Sequence, residues 1–376
     1  MREQTELSAL AKLFLRLGIT AFGGPAAHIA MMQQEVVYKR KWMSEEHFLD
    51  LIGATNLIPG PNSTEMAIHI GNERAGTKGL LVAGLCFILP AVFITVGIAC
   101  LYKYYGQLPQ VQPFIYGIQP AIIAVILAAI FPLAKKSLKT IELGVIGFIA
   151  LVLSILHTNE IYVMFGAGFV ALLYASIKQK IFGVSTQSFL PFTFLQLSNT
   201  GASATNLRLF LIFLKIGAIL YGSGYVLFAF LDSELVSTGF LSRHQLIDAI
   251  AVGQFTPGPV FSSVTFIGYQ MNGWTGAAVA TIGIFLPSFL FVALLNPLVK
   301  KMRSSKTFSI FLDAVNIASV AIILAVCYEM GKGSISNWRT AFIGILSLAV
   351  IVCFRKTNSA LIIAGSSFLG YLLTLL

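Results

Sequence analysis

Charge is what this chain has least of: 11% of its 376 residues are Asp, Glu, Lys or Arg, against roughly 25% in soluble domains. Residues 79–101, 113–134, 340–354, 357–376 and the long run 249–299 carry none. Uncharged apolar segments of about 20 residues are long enough to cross a bilayer as helices. Strand-period alternation is missing, which argues against a transmembrane β-barrel. Cysteine is sparse as well. Cys86, Cys100, Cys327 and Cys353 lie in apolar stretches without paired spacing, so neither a disulfide framework nor a thiolate metal site is signalled. No Walker loop, His-Glu-x-x-His signature or nucleophile elbow occurs. ATP-driven pumping and hydrolysis therefore lack support, and no cofactor or metal is expected. The first residues, Met1-Arg2-Glu3-Gln4-Thr5-Glu6, are polar and mixed in charge and do not read as a cleavable signal peptide.

Acids are scarcer than bases, 15 against 25, leaving a formal net charge of +10. In a soluble protein that balance would point to nucleic acid. Here the bases sit in short clusters between apolar spans: Lys39-Arg40-Lys41, Lys135-Lys136-Lys139, Lys178-Lys180, Lys300-Lys301-Arg303-Lys306 and Arg355-Lys356. Cytoplasmic loops of membrane proteins look like this. The expected partner is the lipid bilayer and not nucleic acid.

What the chain has in plenty is repetition. Ile58-Pro59-Gly60-Pro61 recurs as Thr256-Pro257-Gly258-Pro259. Leu15-Arg16-Leu17-Gly18 and Phe22-Gly23-Gly24 match Leu214-Lys215-Ile216-Gly217 and Tyr221-Gly222-Ser223, Asp50 matches Asp248, and Leu89-Pro90 matches Leu286-Pro287. The offset drifts only from 199 to 197 residues along the chain, so two one-residue gaps suffice. Gly and Pro interrupting apolar segments at equivalent places of two halves are the best sequence pointer to a secondary transporter's substrate site.

Equivalent loops carry opposite charge. Tyr38-Lys39-Arg40-Lys41 corresponds to Asp232-Ser233-Glu234-Leu235-Val236-Ser237, and uncharged 104–113 corresponds to the basic stretch 300–306. If basic loops are cytoplasmic, each landmark faces opposite sides in the two copies. The expected fold is an all-α polytopic membrane protein, two homologous halves forming an inverted-topology repeat with broken, re-entrant helices. Residues 1–177 are the first repeat, 178–206 a linker rich in Ser, Thr, Asn and Gly, and 207–376 the second repeat.

Helix signals place the pieces. Residues 7–37 read as a helix interrupted at Phe22-Gly23-Gly24-Pro25. Ser44 is a candidate N-cap for 45–57, and Ser242 with Gln245 makes a capping box for 243–255. Short helices at 62–73 and 260–271 follow the Pro-Gly-Pro breaks, each expected to form a hairpin that dips into the membrane. Longer spans follow at 78–103, 114–134, 141–157 and 160–177, with counterparts at 275–299, 308–329, 339–354 and 357–375. If the interrupted first helix crosses, the N-terminus is outside; if it is re-entrant, another crossing is missing.

Broken helices persist in hydrocarbon only where protein or an aqueous cavity shields the freed backbone. A helix starting after Gly-Pro presents unpaired N–H groups and a positive dipole end, a ready anion site. Asn62, Ser63, Thr64 and Glu65 follow the first break; Val260, Phe261, Ser262 and Ser263 follow the second. Asn56 and Gln254 put an amide before each break. The candidate oxyanion site is therefore Asn56, Pro59, Gly60, Pro61, Asn62, Ser63 and Thr64 with Gln254, Pro257, Gly258, Pro259 and Ser262. Gly23, Gly24, Pro25, Gly222, Ser223 and Gly224 come from the other breaks. The competing reading is that Pro-Gly-Pro marks tight turns in packed helices.

Arg16 and Lys215 occupy equivalent places on apolar helices, as charge-attracting cations or as snorkelling and structural groups. Asp50 and Asp248 fit a structural salt bridge. Glu65 has no acidic twin, since Ser262 or Ser263 stands opposite it. An unpaired carboxylate beside an anion site is a proton-coupling candidate, with His69 one turn on and His28 just after Gly-Gly-Pro as further candidates. The bland alternative ionises Glu65 permanently against Arg16 or Arg74. Asp313 and Glu329 read as structural or vestibule charges.

Phe22-Gly23-Gly24-Pro25-Ala26-Ala27-His28-Ile29, Glu35, Lys41-Trp42, Pro59-Gly60-Pro61, Arg74-Ala75-Gly76 and Leu89-Pro90 together resemble the chromate ion transporter family. Tyr221-Gly222-Ser223-Gly224 and Pro257-Gly258-Pro259 are similar to its C-terminal domain, as in the two-domain long form. The resemblance implies a multi-pass transporter of the bacterial inner membrane that exports chromate, with sulfate as a similar competitor. Two departures stand at the site: Asn56-Leu57 where Gln-Phe is expected, and Asn62-Ser63-Thr64-Glu65 where many members have smaller, uncharged residues.

A dianion leaving an inside-negative cell gains about 4.6 kcal/mol at ~100 mV. Uptake against that field needs more than two protons for net positive charge movement, which favours export. An oxyanion uptake permease for sulfate or molybdate shares the same sequence features and is the alternative. A homodimer is one candidate assembly.

Overall fold

The computed structural model describes residues 2–22, 24–106, 108–182, 206–222, 224–354 and 357–375. Among them every regular element is helical. The first half runs α1 Arg2–Thr20, α2 Gly24–Gln33, α3 Glu45–Thr55, α4 Asn62–Tyr105, α5 Gln112–Ser137, α6 Ile141–Ile155 and α7 Glu160–Phe182. The second runs α8 Asn206–Ile219, α9 Val226–Leu231, α10 Arg243–Phe255, α11 Ser263–Ser304, α12 Lys306–Ser334, α13 Trp338–Cys353 and α14 Ser359–Thr374. Most of the expected linker, residues 183–205, lies outside the described residues. Five stretches are long and apolar enough to cross a membrane: Asn62–Tyr105, Gln112–Ser137, Glu160–Lys178, Val260–Leu294 and Thr307–Ser334. Helices α6, α13 and α14 are apolar but shorter.

Local signals position the breaks. The Ser44 hydroxyl accepts the His47 N–H at 3.2 Å, and Ser242 and Gln245 close the full capping box at the start of α10. Helices α2 and α9 each pass into a π-helical turn, Gln34–Lys39 and Asp232–Val236. Gly24 (φ 78°) and Gly222 (φ 100°) both adopt left-handed backbone. Conformation thus pairs Gly24 with Gly222, where sequence matching pairs it with Ser223; the first gap falls just after α1 and α8.

Inside α4 the chain turns at Ala75 (φ −146°) and Gly76 (φ 58°), and inside α11 at Asn272 (φ −136°) and Gly273 (φ 59°). A Cβ on Gly71 would strike the carbonyl of Gly79, and one on Gly268 that of Gly276. Eight residues along a straight helix span about 12 Å. The contact therefore means that each chain doubles back, and only glycine lets the backbones approach so closely. The segments 62–74 and 260–271 are short helices folded against the long ones that follow, where the sequence reading paired each short helix with the one before its break.

The halves interlock. Tyr116 near the start of α5 donates to Asn337 just past α12 at 2.7 Å, while Lys139 just past α5 pairs with Asp313 near the start of α12 at 2.7 Å. Start meets end at both places, so these equivalent helices run antiparallel. The main apolar core takes residues from both halves, among them Ile122, Ile126, Phe213, Phe230 and Ile322.

Candidate functional site

Helix α3 stops because Pro59 and Pro61 supply no N–H and Gly60 takes φ 137°. Asn56 folds its amide back onto the Ile52 carbonyl at 2.9 Å, and the Asn62 side-chain amide donates across the break to Asn56 Oδ1 at 2.9 Å. The Gly60 N–H reaches into the other half and donates to Leu220 O at 2.8 Å. In return the Gly258 N–H donates to Ala21 O at 2.9 Å. Ala21 and Leu220 each follow the first helix of their half, so the two Pro-Gly-Pro turns are exchanged between halves.

The two turns face different chemistry. A Cβ on Gly60 would collide with the Glu65 carboxylate and lie 2.6 Å from the Ser288 hydroxyl. Glu65 is fully buried; Ser288 donates to one carboxylate oxygen at 3.3 Å, and the other has no partner. At the second turn a Cβ on Gly258 would meet the Ala91 methyl at 2.9 Å and the Gly18 carbonyl oxygen at 3.2 Å. The nearby polar pair there is neutral, Thr95 donating to Ser262 at 3.3 Å.

Several donors at the helix starts are buried and idle. Ser63 and Thr64 are buried, and the hydroxyls of Thr64 and Ser263 have no partner, nor does the Gln254 amide nitrogen. His69, one turn beyond Glu65, is fully buried with both ring nitrogens unpartnered. His28 has a positioning part instead: its Nε2 lies 3.1 Å from Ala21 O, the carbonyl that also receives Gly258. Its ring stands edge-on to Phe87.

A cavity of about 320 Å³ opens beside the first break. Asn56, Asn62 and Gly222 line it together with Lys136, Lys139, Asp313, Asn316 and Ser319. Of the sequence candidates, it gathers these three. Gly24, Pro25 and Gly224 lie at the other breaks, where Gly224 sits 3.9 Å from the Pro25 ring by its would-be Cβ. Gly23 and Ser223 lie outside the described residues.

Arg16 and Lys215 are held by their own halves, on the two π-helical turns. Arg16 pairs with Glu35 at 2.6 Å, and Lys39 and Arg40 join the same carboxylate at 2.9 and 3.4 Å. Burial works to raise the Glu35 carboxyl, but the hydrogen bonds from Lys39 and Arg16 outweigh it and hold the group below its ordinary value. Lys215 pairs with Glu234 at 2.7 Å. Arg74 pairs with Glu6 and lies over Trp42, so neither cation proposed as a counter-ion for Glu65 is engaged there. Asp248 departs from the salt-bridge expectation. Tyr102 and Gln119 donate to it at 2.6 and 3.2 Å, and both come from the other half. Glu329 is structural, pairing with Arg243, which also holds Asp232.

The sequence reading missed Ser288, Thr95, Asn316 and Ser319. Each is a polar residue inside an otherwise apolar span, and that isolation was the available signal.

The sequence model of the chromate transporter family matches this chain twice, over residues 8–172 and 207–371. A chromate transport protein of Cupriavidus metallidurans is 30% identical over 372 residues, covering 97% of this chain and 92% of its own. A probable chromate transport protein of Synechococcus elongatus is 30% identical, over 91% of this chain and 89% of that one. One named chromate transport protein from Pseudomonas aeruginosa is 26% identical, over 96% and 90%. No solved structure matches. With both halves matched and its apolar helices long enough to cross a bilayer, the chain is a multi-pass membrane protein that belongs to the chromate transporter family.

Proposed function

We propose that this protein exports chromate, or a related tetrahedral oxyanion dianion, across the bacterial inner membrane, with the anion held at the paired Pro-Gly-Pro helix starts. The observation that carries the reading is the exchange of those turns: Gly60 on Leu220 and Gly258 on Ala21. Reciprocal contacts are the mark of a two-fold relation. The antiparallel course of α5 and α12, together with the reversed loop charges, supports an axis in the membrane plane. Residues 1–177 and 207–376 are then inverted repeats joined by 178–206. Helix starts from both repeats converge near mid-membrane and offer N–H groups, hydroxyls and amides to an oxyanion without a fixed countercharge.

Glu65 occupies the space over Gly60, where a carboxylate and a bound oxyanion repel one another. Protonation of Glu65 removes that repulsion, so titration of this group and occupancy by the anion are linked. Membrane potential supplies the drive for export, about 2.3 kcal/mol per charge at ~100 mV.

The test is flux of labelled chromate and sulfate in vesicles of known orientation, with potential and pH gradient imposed separately. Export predicts that an inside-negative potential speeds exit. Uptake speeded by an inward proton gradient, with no response to potential alone, would favour the sulfate or molybdate permease.

A further inference from the structure

We propose that the cavity beside the first break is a capture vestibule that sorts anions by valence, with Lys136 and Lys139 as the binding cations and Asp313 as a resident competitor. This rests on reading the chain as a transporter of tetrahedral dianions.

The end of α5 forms one wall and the start of α12 the other. By their basic flanks, 135–139 and 300–306, both ends face the cytoplasm. Inward, the cavity reaches Gly222 and the two asparagines flanking the first break. Asp313, Asn316 and Ser319 recur every three residues along α12, a polar stripe leading from mouth to floor. At the floor Asn316 Oδ1 and the Ser319 Cβ each lie 3.3 Å from where a Cβ of Gly222 would be. Ser319 is itself tied down, donating to Val315 O at 2.8 Å and to Tyr221 O at 3.3 Å.

In the other half the equivalent side chains are tied to neighbours by hydrogen bonds. Tyr116, which corresponds to Asp313, is bonded to Asn337, and Gln119, which corresponds to Asn316, is bonded to Asp248 and to His244 at 3.1 Å. The positions matching Lys136 and Lys139 are Gly333 and Ser336, and the lysine matching Lys135, Lys332, is paired with Glu329 at 3.5 Å. The basic mouth is therefore a feature of one side, as an entry for anions in a one-way exporter needs.

Valence selection follows from the ion pair. Lys139 already holds the Asp313 carboxylate at 2.7 Å, while Lys136 has no ion pair with a described residue. A monoanion gains from Lys136 alone, because at Lys139 it would replace one negative charge by another. A dianion bridging Lys136 and Lys139 brings twice the charge and displaces Asp313 with a net gain. Asn316 then stands next on its path toward Asn62. Release of Asp313 also unties α12 from the end of α5, the contact that joins the halves at this mouth.

Chromate flux is measured in oriented vesicles of phosphatidylcholine alone, so that no anionic headgroup competes, with nitrate as the monoanion probe. Lys136→Gln with Lys139→Gln should raise the KM for chromate about tenfold, flatten its dependence on ionic strength, and change the maximal rate much less. Asp313→Asn should lower the chromate KM and make nitrate a stronger inhibitor than it is of the unaltered protein. An unchanged KM in the lysine pair, or unchanged nitrate discrimination in Asp313→Asn, overturns the vestibule while leaving the helix-start site standing. If the unaltered protein moves neither chromate nor sulfate above protein-free vesicles, both readings fall together.

Discussion

Gly60 and Gly258 make the same exchanged hydrogen bond, yet one turn faces a buried carboxylate and the other the methyl of Ala91. Ser288 and Ala91 are equivalent positions, and so are Glu65 and Ser262 within the one-residue gap. The halves keep in common what shapes the backbone: capping Ser44 and Ser242, left-handed Gly24 and Gly222, and the hairpin turns at Gly76 and Gly273. They differ in the polar groups beside the turns, Glu65 and Ser288 against Ser262 and Ala91. The scaffold is present twice and the polar contents of the turns differ, so on the proposed reading the shared residues shape the site and the unshared ones set its coupling.

The strongest way to break this comparison is at the shared glycines. Gly60→Val puts a branched side chain into Glu65 and Ser288 at φ 137°. Gly258→Val drives one into Ala91 and the Gly18 carbonyl. Both should abolish chromate flux, by about a hundredfold or more given the strain and the lost turn, while membrane insertion persists because span hydrophobicity is unchanged. Insertion is read by fluorescence-detected gel filtration of a tagged protein. Normal flux from either variant at normal expression would show that the exchanged turns are not the transport site.

Glu65 sharpens the comparison, because the second half offers no carboxylate to replace it. Glu65→Gln keeps the shape and removes the titration. Flux driven by potential should survive, whereas its response to an imposed pH gradient should vanish. Ser262→Ala, at the equivalent place, should leave the pH response intact. A pH response retained in Glu65→Gln removes this residue from coupling and makes the asymmetry at the turns one of packing.

Much of the symmetric layer was legible from the residues. Pro, Gly and capping Ser act within one turn of themselves, so the breaks at 59–61 and 257–259 and the starts at Ser44 and Ser242 appear where local chemistry puts them. The asymmetric layer is built from distant pairs. Glu65 meets Ser288 across 223 positions, and Thr95 meets Ser262 across 167. Neither pair leaves a local trace beyond a lone polar residue in an apolar span. The vestibule shows the same limit: Lys136 and Lys139 announce a cytoplasmic loop, and only α12 folding alongside turns them into a cavity wall.

A smaller effect is expected at the hydrogen-bonded cluster of the other mouth. Tyr102→Phe removes the 2.6 Å donor to Asp248, a carboxylate buried between α4, α5 and α10. Leaving that oxygen short of a partner costs about 1–3 kcal/mol. The melting temperature in detergent should fall, and the equivalent loss at the open mouth, Asp313→Asn, should lower it less. Equal losses would mean that the second mouth is no more firmly closed than the first.

The smallest test concerns the cations on the first helices. Arg16 and Lys215 match in position and in partner type, but their surroundings do not match. Glu35 is held by Arg16, Lys39 and Arg40, so Arg16→Gln leaves two cations on the carboxylate. Arg16 is also half exposed, and exposed pairs are worth ~0.5 kcal/mol. Among the described residues Glu234 has one ion pair, to Lys215, with the lysine side chain 33% and the glutamate 18% exposed. Lys215→Gln should therefore lower the melting temperature more than Arg16→Gln does. A reversal of that order would mean that Glu234 gains other support when Lys215 leaves. A large fall in chromate flux from either variant, with stability intact, would instead return that cation to the anion's path.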